Sequence, residues 1–331
     1  MKTPVKALAS LLIFASSASF ADATTDFALL LEEHWEARLA NNPLTASRNG
    51  DRRFNDQWTD QSLDAIEERH NQAKNFLQRV YAIDRDSLLT DDQLNHELFR
   101  RQMQDAVDEY QFSDYLMPFA HRGGIQSLHN VTNQLRLETV QDFDDWLARL
   151  GKIEVLVEQT IDLAEKGRKS GFMPPRILME RVPKQLAMQV VAYASESPFF
   201  AVFEAMPESF SAADRERIRA AATDTLEDSV LPAYKKLDGY FNTRYLPATR
   251  GSIGHSALPN GSAWYEYLTR SYTTTRMTPD DIHRLGLEEV KRIRDEMEKI
   301  IREVEFEGSF QEFLVFLRTD PQFYYDNPDD L

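Results

Sequence analysis

The chain carries seven histidines and no cysteine. Any metal site within it would therefore rest on imidazole and carboxylate, and thiolate zinc sites, disulfides and cysteine nucleophiles are excluded. A zinc hydrolase site on a helix needs two histidines one turn apart, with a glutamate beside the first to activate water. The nearest approach is His96-Glu97-Leu98-Phe99-Arg100. Arg100 stands where the second ligand is needed and repels a cation, so His96 reads as a polar helix residue. Glu67-Glu68-Arg69-His70 supplies one Glu-x-x-His element of a di-metal bundle, and no second copy accompanies it. It reads as a solvated face. Asp144-Asp145 and Asp280-Asp281 are neighbours on helices and so point apart. There is no G-x-S-x-G elbow and no phosphate-cradling loop. These residues give no catalytic or metal-ligating set.

The stretch from His255 to Thr275 is the most unusual. A Leu258-Pro259-Asn260-Gly261 turn precedes Trp264, Tyr265, Tyr267 and Tyr272. Aromatics beside a glycine turn can line a ligand groove, which makes Asn260, Gly261, Trp264, Tyr265 and Tyr267 the candidate substrate-binding residues. The competing reading is that the rings pack between helices with their hydroxyls at the surface.

The elements that position these residues are helical. The chain has 331 residues and a formal charge of −16, a balance that disfavours nucleic acid and anionic membranes as partners. Lys2 and Lys6, the apolar run Ala7 to Phe14 and Ser19-Phe20-Ala21 form a signal-peptide pattern. Residues 1–21 are expected to be removed, leaving a helical domain over 22–331. Phe27, Leu30, Leu31, Trp35 and Leu39 form the first helical stripe, ending before Asn41-Asn42-Pro43, and residues 44–58 read as a loop. A long helix carrying Leu63, Ile66, Ala73, Leu77 and Val80 follows, with Asp60 as its cap. Thr90-Asp91-Asp92-Gln93 reads as a capping box before Leu94, Leu98, Val107 and Tyr110, which are predicted inward.

After an irregular stretch over 113–137, Thr139 opens a helix with Phe143, Trp146, Leu150, Ile153, Val157, Ile161 and Ala164. Gly171 lies just past its end. Pro174-Pro175 suits the first turn of the next helix, and Ser211 with Asp214 opens another. Thr278-Pro279-Asp280-Asp281 caps a helix carrying Ile282, Val290, Ile293, Met297, Ile300 and Val304, and Ser309 to Glu312 caps the one after it. Periodicity leaves residues 263–272 open between a short strand and a helix. Asn327-Pro328-Asp329-Asp330 has the chemistry of a helix start, so the chain is expected to stop where a further helix begins. The fold class is all-α: an elongated multi-helix array with at most one short strand.

Several of these segments together resemble the bacterial domain-of-unknown-function family 885. They are Leu258-Pro259-Asn260-Gly261, Trp264-Tyr265, Thr273-Thr274-Thr275, Thr278 to His283, Leu285 to Val290 and Arg318 to Tyr324. Gly171-Phe172-Met173-Pro174-Pro175 and Ser197-Pro198-Phe199 belong with them. The resemblance implies an exported protein with a helical zincin-like fold, of which this chain would be the N-terminal half. It implies zinc in a full-length parent, held by an H-E-x-x-x-G-H-H type motif and a downstream glutamate in a C-terminal half that would also be this chain's partner. No residue here matches that motif. Family members often carry a lipid-bearing cysteine, and this sequence has none, so a periplasmic or secreted location without an anchor is expected. The alternative reading is a non-enzymatic periplasmic peptide-binding or assembly module.

Overall fold

The computed structural model describes residues 6–325 and 327–330; of residues 6–22 and 330 only the backbone is described. The expected signal peptide, residues 1–21, lies outside the residues whose side chains are described. The chain divides into two compact units, Met1–Gly261 and Ser262–Leu331. Among the described residues the sole β-type pairing is a bridge between Pro175 and Arg250, so the fold is all-α.

The first unit opens with α1 (Lys6–Asn41), α2 (Pro43–Arg48), α3 (Leu63–Ala82) and α4 (Thr90–Glu109). The predicted loop after residue 43 thus holds a short helix. Asn42 caps it by accepting the Thr45 N–H, and Pro43 occupies its first position, where a missing N–H costs nothing. The cap of α3 is Ser62, not Asp60. Ser62 Oγ accepts the Ala65 N–H, and Asp60 instead accepts the Ser62 N–H one step outside the helix. Thr90 lies within the first turn of α4 and makes no capping bond there.

The inward face of α4 also differs from the prediction. His96, Phe99 and Met103 are buried, whereas Leu94 and Leu98 are exposed. Two helices decide this phase. Phe27 and Leu30 of α1 and Phe76 and Val80 of α3 form one apolar cluster that accepts the row containing Phe99 and Met103. The His96 ring tilts against Phe27 at 5.5 Å, and its Nε2 lies 2.9 Å from the Val80 carbonyl. That contact gives one nitrogen of the buried ring a partner in the core.

The larger core collects α5 (Val140–Leu150), α6 (Ile153–Ser170), the short α7 (Arg176–Met179), α8 (Val182–Ala187) and α9 (Ala201–Glu204), then α10 (Ala212–Thr225), α11 (Leu231–Tyr240) and α12 (Leu246–Ala248). Trp146, Leu150, Ile153 and Val157 are buried as the stripe predicts, and Phe199, Phe203, Ile218, Tyr234 and Phe241 meet them. Each such side chain contributes about 1.5–3 kcal/mol by leaving water. Gly171 ends α6 in the left-handed conformation (φ 83°), and Ser211 caps α10. Pro175 sits at the cap of α7, one place earlier than the first-turn position.

The helix that continues from α10 contains two wide turns, at Leu226–Val230 and Phe241–Tyr245. In each, an N–H reaches back five residues: Leu231 to Leu226 O and Leu246 to Phe241 O. Pro232 and Pro247 follow directly. A proline has no N–H and crowds the carbonyl four residues back, and the widened turn accommodates both effects without ending the helix.

The irregular segment 113–137 is anchored by polar contacts. Tyr234 Oη donates to Ile125 O at 2.6 Å, and Gln126 Nε2 donates to Ala120 O and Gln185 Oε1. Buried backbone outside helices needs such partners.

The second unit comprises nearly all of α13 (Gly261–Thr273), then α14 (Pro279–Glu303) and α15 (Phe310–Thr319). The ambiguous segment 263–272 is therefore helical. Capping boxes at Thr278 and Ser309 open α14 and α15 as predicted. Phe306, Phe313, Phe316 and Phe323 form an aromatic cluster, and Arg294 lies over the Phe310 ring at 3.6 Å. The predicted apolar stripe of α14 is largely open to water: Val290 is 67% exposed, Ile293 46%, Ile300 50% and Val304 56%, and only Ile301 beside them is buried.

Candidate functional site

The segment singled out by its aromatics begins as a tight turn. Asn260 adopts φ 55°, a conformation asparagine tolerates better than most residues. The Gly261 N–H returns to Leu258 O at 2.9 Å. A Cβ at Gly261 would overlap the His255 carbonyl oxygen and stand 3.0 Å from Ser256 Cα, so close backbone approach requires glycine there. On the helix that follows, Trp264 and Tyr267 are buried, three residues apart, and Tyr265 is half exposed. Of the candidate substrate residues, Tyr265 is the ring that meets solvent.

The preceding loop is tied to a distant strap. Arg250 exchanges backbone bonds with Pro174 and Arg176, and its guanidinium donates to Met173 O, Ser252 O and Gly254 O. Gly171 lies beside Pro259, with an added Cβ placed 3.6 Å from its ring. The sequence segments 171–175 and 250–261, some eighty residues apart, are thus neighbours. Their spacing in the chain held no signal of this.

A second feature of the first unit escaped sequence reasoning. A pocket of about 290 Å³ is lined by Ser47, Arg52, Asn55, Leu135, Leu137 and Trp146, with Arg136, Glu138, Asp142 and Arg149 adding charge. Asp142 is buried beneath its capping box with Thr139 and pairs with Arg52 at 3.2 Å. Arg149 is wholly buried. Its Nη2 donates to Ser47 Oγ at 2.9 Å and to Phe54 O at 2.8 Å. Its guanidinium carbon lies 5.6 Å from the Trp58 ring centre, a cation–π contact. Among the described residues it makes no ion pair, and its Nε and Nη1 meet no acceptor. Burial pulls the guanidinium down to about 10, so it remains charged at neutral pH. The only sequence signal was an arginine within the apolar run of α5.

The histidines do not converge. His34 stands edge-on to Phe76 and Phe99, His70 stacks on Tyr110 at 3.8 Å, and His129 Nδ1 lies 2.8 Å from Gln189 Nε2. Among the described residues no three His, Asp or Glu side chains gather to hold a metal ion. The described residues do not fit a zinc site. No described helix is long and apolar enough to cross a membrane.

Fold and site define an all-helical protein in which two of the signature segments, 171–175 and 258–261, lie side by side at the turn before α13. The family described as bacterial proteins of unknown function, DUF885, matches residues 43–331, and the chain belongs to it. A search of curated proteins finds no match. Among solved structures, the chain is similar to one described as "the putative lipoprotein from Colwellia psychrerythraea", with TM-score 0.76 and 18% identity. That likeness covers 95% of this chain and 56% of the other, so this chain spans little more than half the length of its structural relative.

Proposed function

We propose that this chain is the scaffold and substrate-cleft half of an exported, zinc-dependent peptidase-like protein. In this reading the metal, its ligands and the water-activating glutamate come from polypeptide beyond the sequence described, and the chain is inactive alone. The observation that carries the reading is the extent of the fold likeness: nearly all of this helical chain corresponds to about half of a longer one. The open apolar row on α14 supports it, because an apolar stripe of this length is normally covered. The peptidase chemistry rests on the motif resemblance, and export on the charged and apolar pattern of residues 2–21.

The turn and helix containing Asn260, Gly261, Trp264, Tyr265 and Tyr267 would form the peptide-facing wall. Two measurements test the reading. Hydrolysis of a mixed peptide library by the purified chain is expected to be absent, with zinc well below one equivalent, and a version extended to the relative's length is expected to cleave in a chelator-sensitive way. Chelator-sensitive cleavage by the chain alone overturns the proposal. Peptide affinity of the extended protein should fall with Tyr265→Ala, and unchanged affinity removes the wall assignment. An extended protein that binds peptides without cleaving them would favour the binding-module alternative.

A further inference from the structure

The pocket around Arg149 lies within the first unit and is independent of any peptidase chemistry. Three donors on its lining residues lack acceptors: Arg149 Nε, Arg149 Nη1 and Trp146 Nε1. Both side chains are essentially sealed from solvent, at 0% and 1% exposure. A buried cation with three of its five N–H donors idle is costly unless an acceptor completes it. Nothing in the protein supplies that acceptor. Asp142 Oδ2 is engaged by Arg52 Nη2, by the Glu138 and Thr139 backbone N–H groups and by the Thr139 hydroxyl, and its Oδ1, which lacks a hydrogen bond, is ion-paired with Arg52 Nε.

Charge and shape narrow the ligand. Arg52, Arg136, Arg149, Glu138 and Asp142 line the pocket, and Asp56 and Asp145 add negative field at Arg149. Two lining carboxylates and that field disfavour a doubly charged phosphate. Leu135, Leu137 and the Trp146 ring add an apolar wall. At about 290 Å³ the pocket lies just below the range for drug-sized sites, about 300–1,000 Å³, and suits a smaller molecule. A carboxylate also presents two acceptor oxygens to the guanidinium fork, the geometry arginine binds best.

We infer that this pocket binds a small monocarboxylate with a short apolar body, the carboxylate engaging Arg149 Nε and Nη1 and the apolar end lying along Leu135, Leu137 and Trp146.

Butyrate is the probe. In thermal melts and calorimetric titrations at matched ionic strength, butyrate is expected to bind and stabilise the chain, whereas chloride and inorganic phosphate leave it unchanged. Arg149→Met should weaken butyrate binding about thirtyfold or more, because it removes the buried charged partner. Without butyrate the same variant should melt at or above the unaltered chain, since an uncompensated buried charge is gone. Arg149→Lys keeps the charge and the fold but loses the fork, and its affinity should fall between the two. Should the methionine variant fail to fold, the lysine variant carries the comparison, and butyrate affinity equal to that of the unaltered chain refutes the assignment. Melts identical in butyrate and chloride refute it too, as does stabilisation by phosphate but not butyrate.

Discussion

Gly167 offers a perturbation whose sign depends on tertiary contact alone. It lies in the last turns of α6, where alanine would ordinarily be preferred to glycine by about 1 kcal/mol. A Cβ built there overlaps the Leu116 carbonyl oxygen and stands 3.1 Å from both the Leu116 carbonyl carbon and Phe172 O. Those are backbone atoms, so no side-chain rotation relieves the overlap. Either α6 or the 114–116 turn must move by roughly an ångström to restore ordinary contact. Crowding of this kind costs about 1–3 kcal/mol, and rigid backbone sets the high end. The net expectation for Gly167→Ala is a loss of about 1–2 kcal/mol, a fall of about 2–8 °C in melting temperature for a unit of this size.

Gly239 is the control. It too is helical, but a Cβ there meets nothing within 4 Å, so Gly239→Ala should gain up to about 1 kcal/mol. Thermal melts followed by circular dichroism separate the two. A Gly167→Ala melt at or above that of the unaltered chain, with Gly239→Ala behaving as expected, refutes the claim that α6 and the 114–116 turn touch through backbone.

Three further expectations follow from named groups. Arg168, bonded to Glu165 at 2.7–2.8 Å, holds that carboxyl down from 4.5 to about 2. A depressed carboxyl stabilises the fold above its unfolded value and loses that contribution as pH falls, so the stability difference between the unaltered chain and Glu165→Gln should shrink between pH 4.5 and 2; a pH-independent difference in chemical denaturation contradicts the pairing. Tyr234→Phe removes the hydroxyl that bonds Ile125 O at 2.6 Å and should cost about 0.5–1.5 kcal/mol in urea unfolding, with no loss if that bond is absent. The α14 row should bind a hydrophobic dye, and Val290→Glu with Ile293→Glu should abolish most of the signal; a dye-silent unaltered chain shows the row to be covered.

Much of the helical framework was legible because its signals are local. Thr139, Ser211, Thr278 and Ser309 each bond a backbone N–H three residues away, and Gly171 needs only its own left-handed φ. Such interactions involve a handful of neighbours in the chain, so residue type and spacing determine them without reference to the rest of the fold. The same holds for the α5–α6 stripe, where Trp146, Leu150, Ile153 and Val157 dominate one face whichever partner covers it. At Asp60 and Thr90 the local signal misled because a neighbouring residue, Ser62 or Leu89, held the cap geometry.

The tertiary structure decided which face each amphipathic helix buries and which polar groups go inside with it. On α4 the leucines at 94 and 98 lost to His96, Phe99 and Met103, because the hollow between α1 and α3 accepts the histidine ring and the Val80 carbonyl meets its Nε2. The candidate sites depend wholly on such distant partners. Arg149 is buried beside Ser47 and Phe54, about a hundred residues earlier in the chain, and Gly261 is required by the backbone packed against it. The sequence by itself determined the all-helical class, most of the caps and the family. Where charge is buried and where an apolar row stays open depends on which surfaces meet once the chain has folded, and no short-range pattern of residues encodes that.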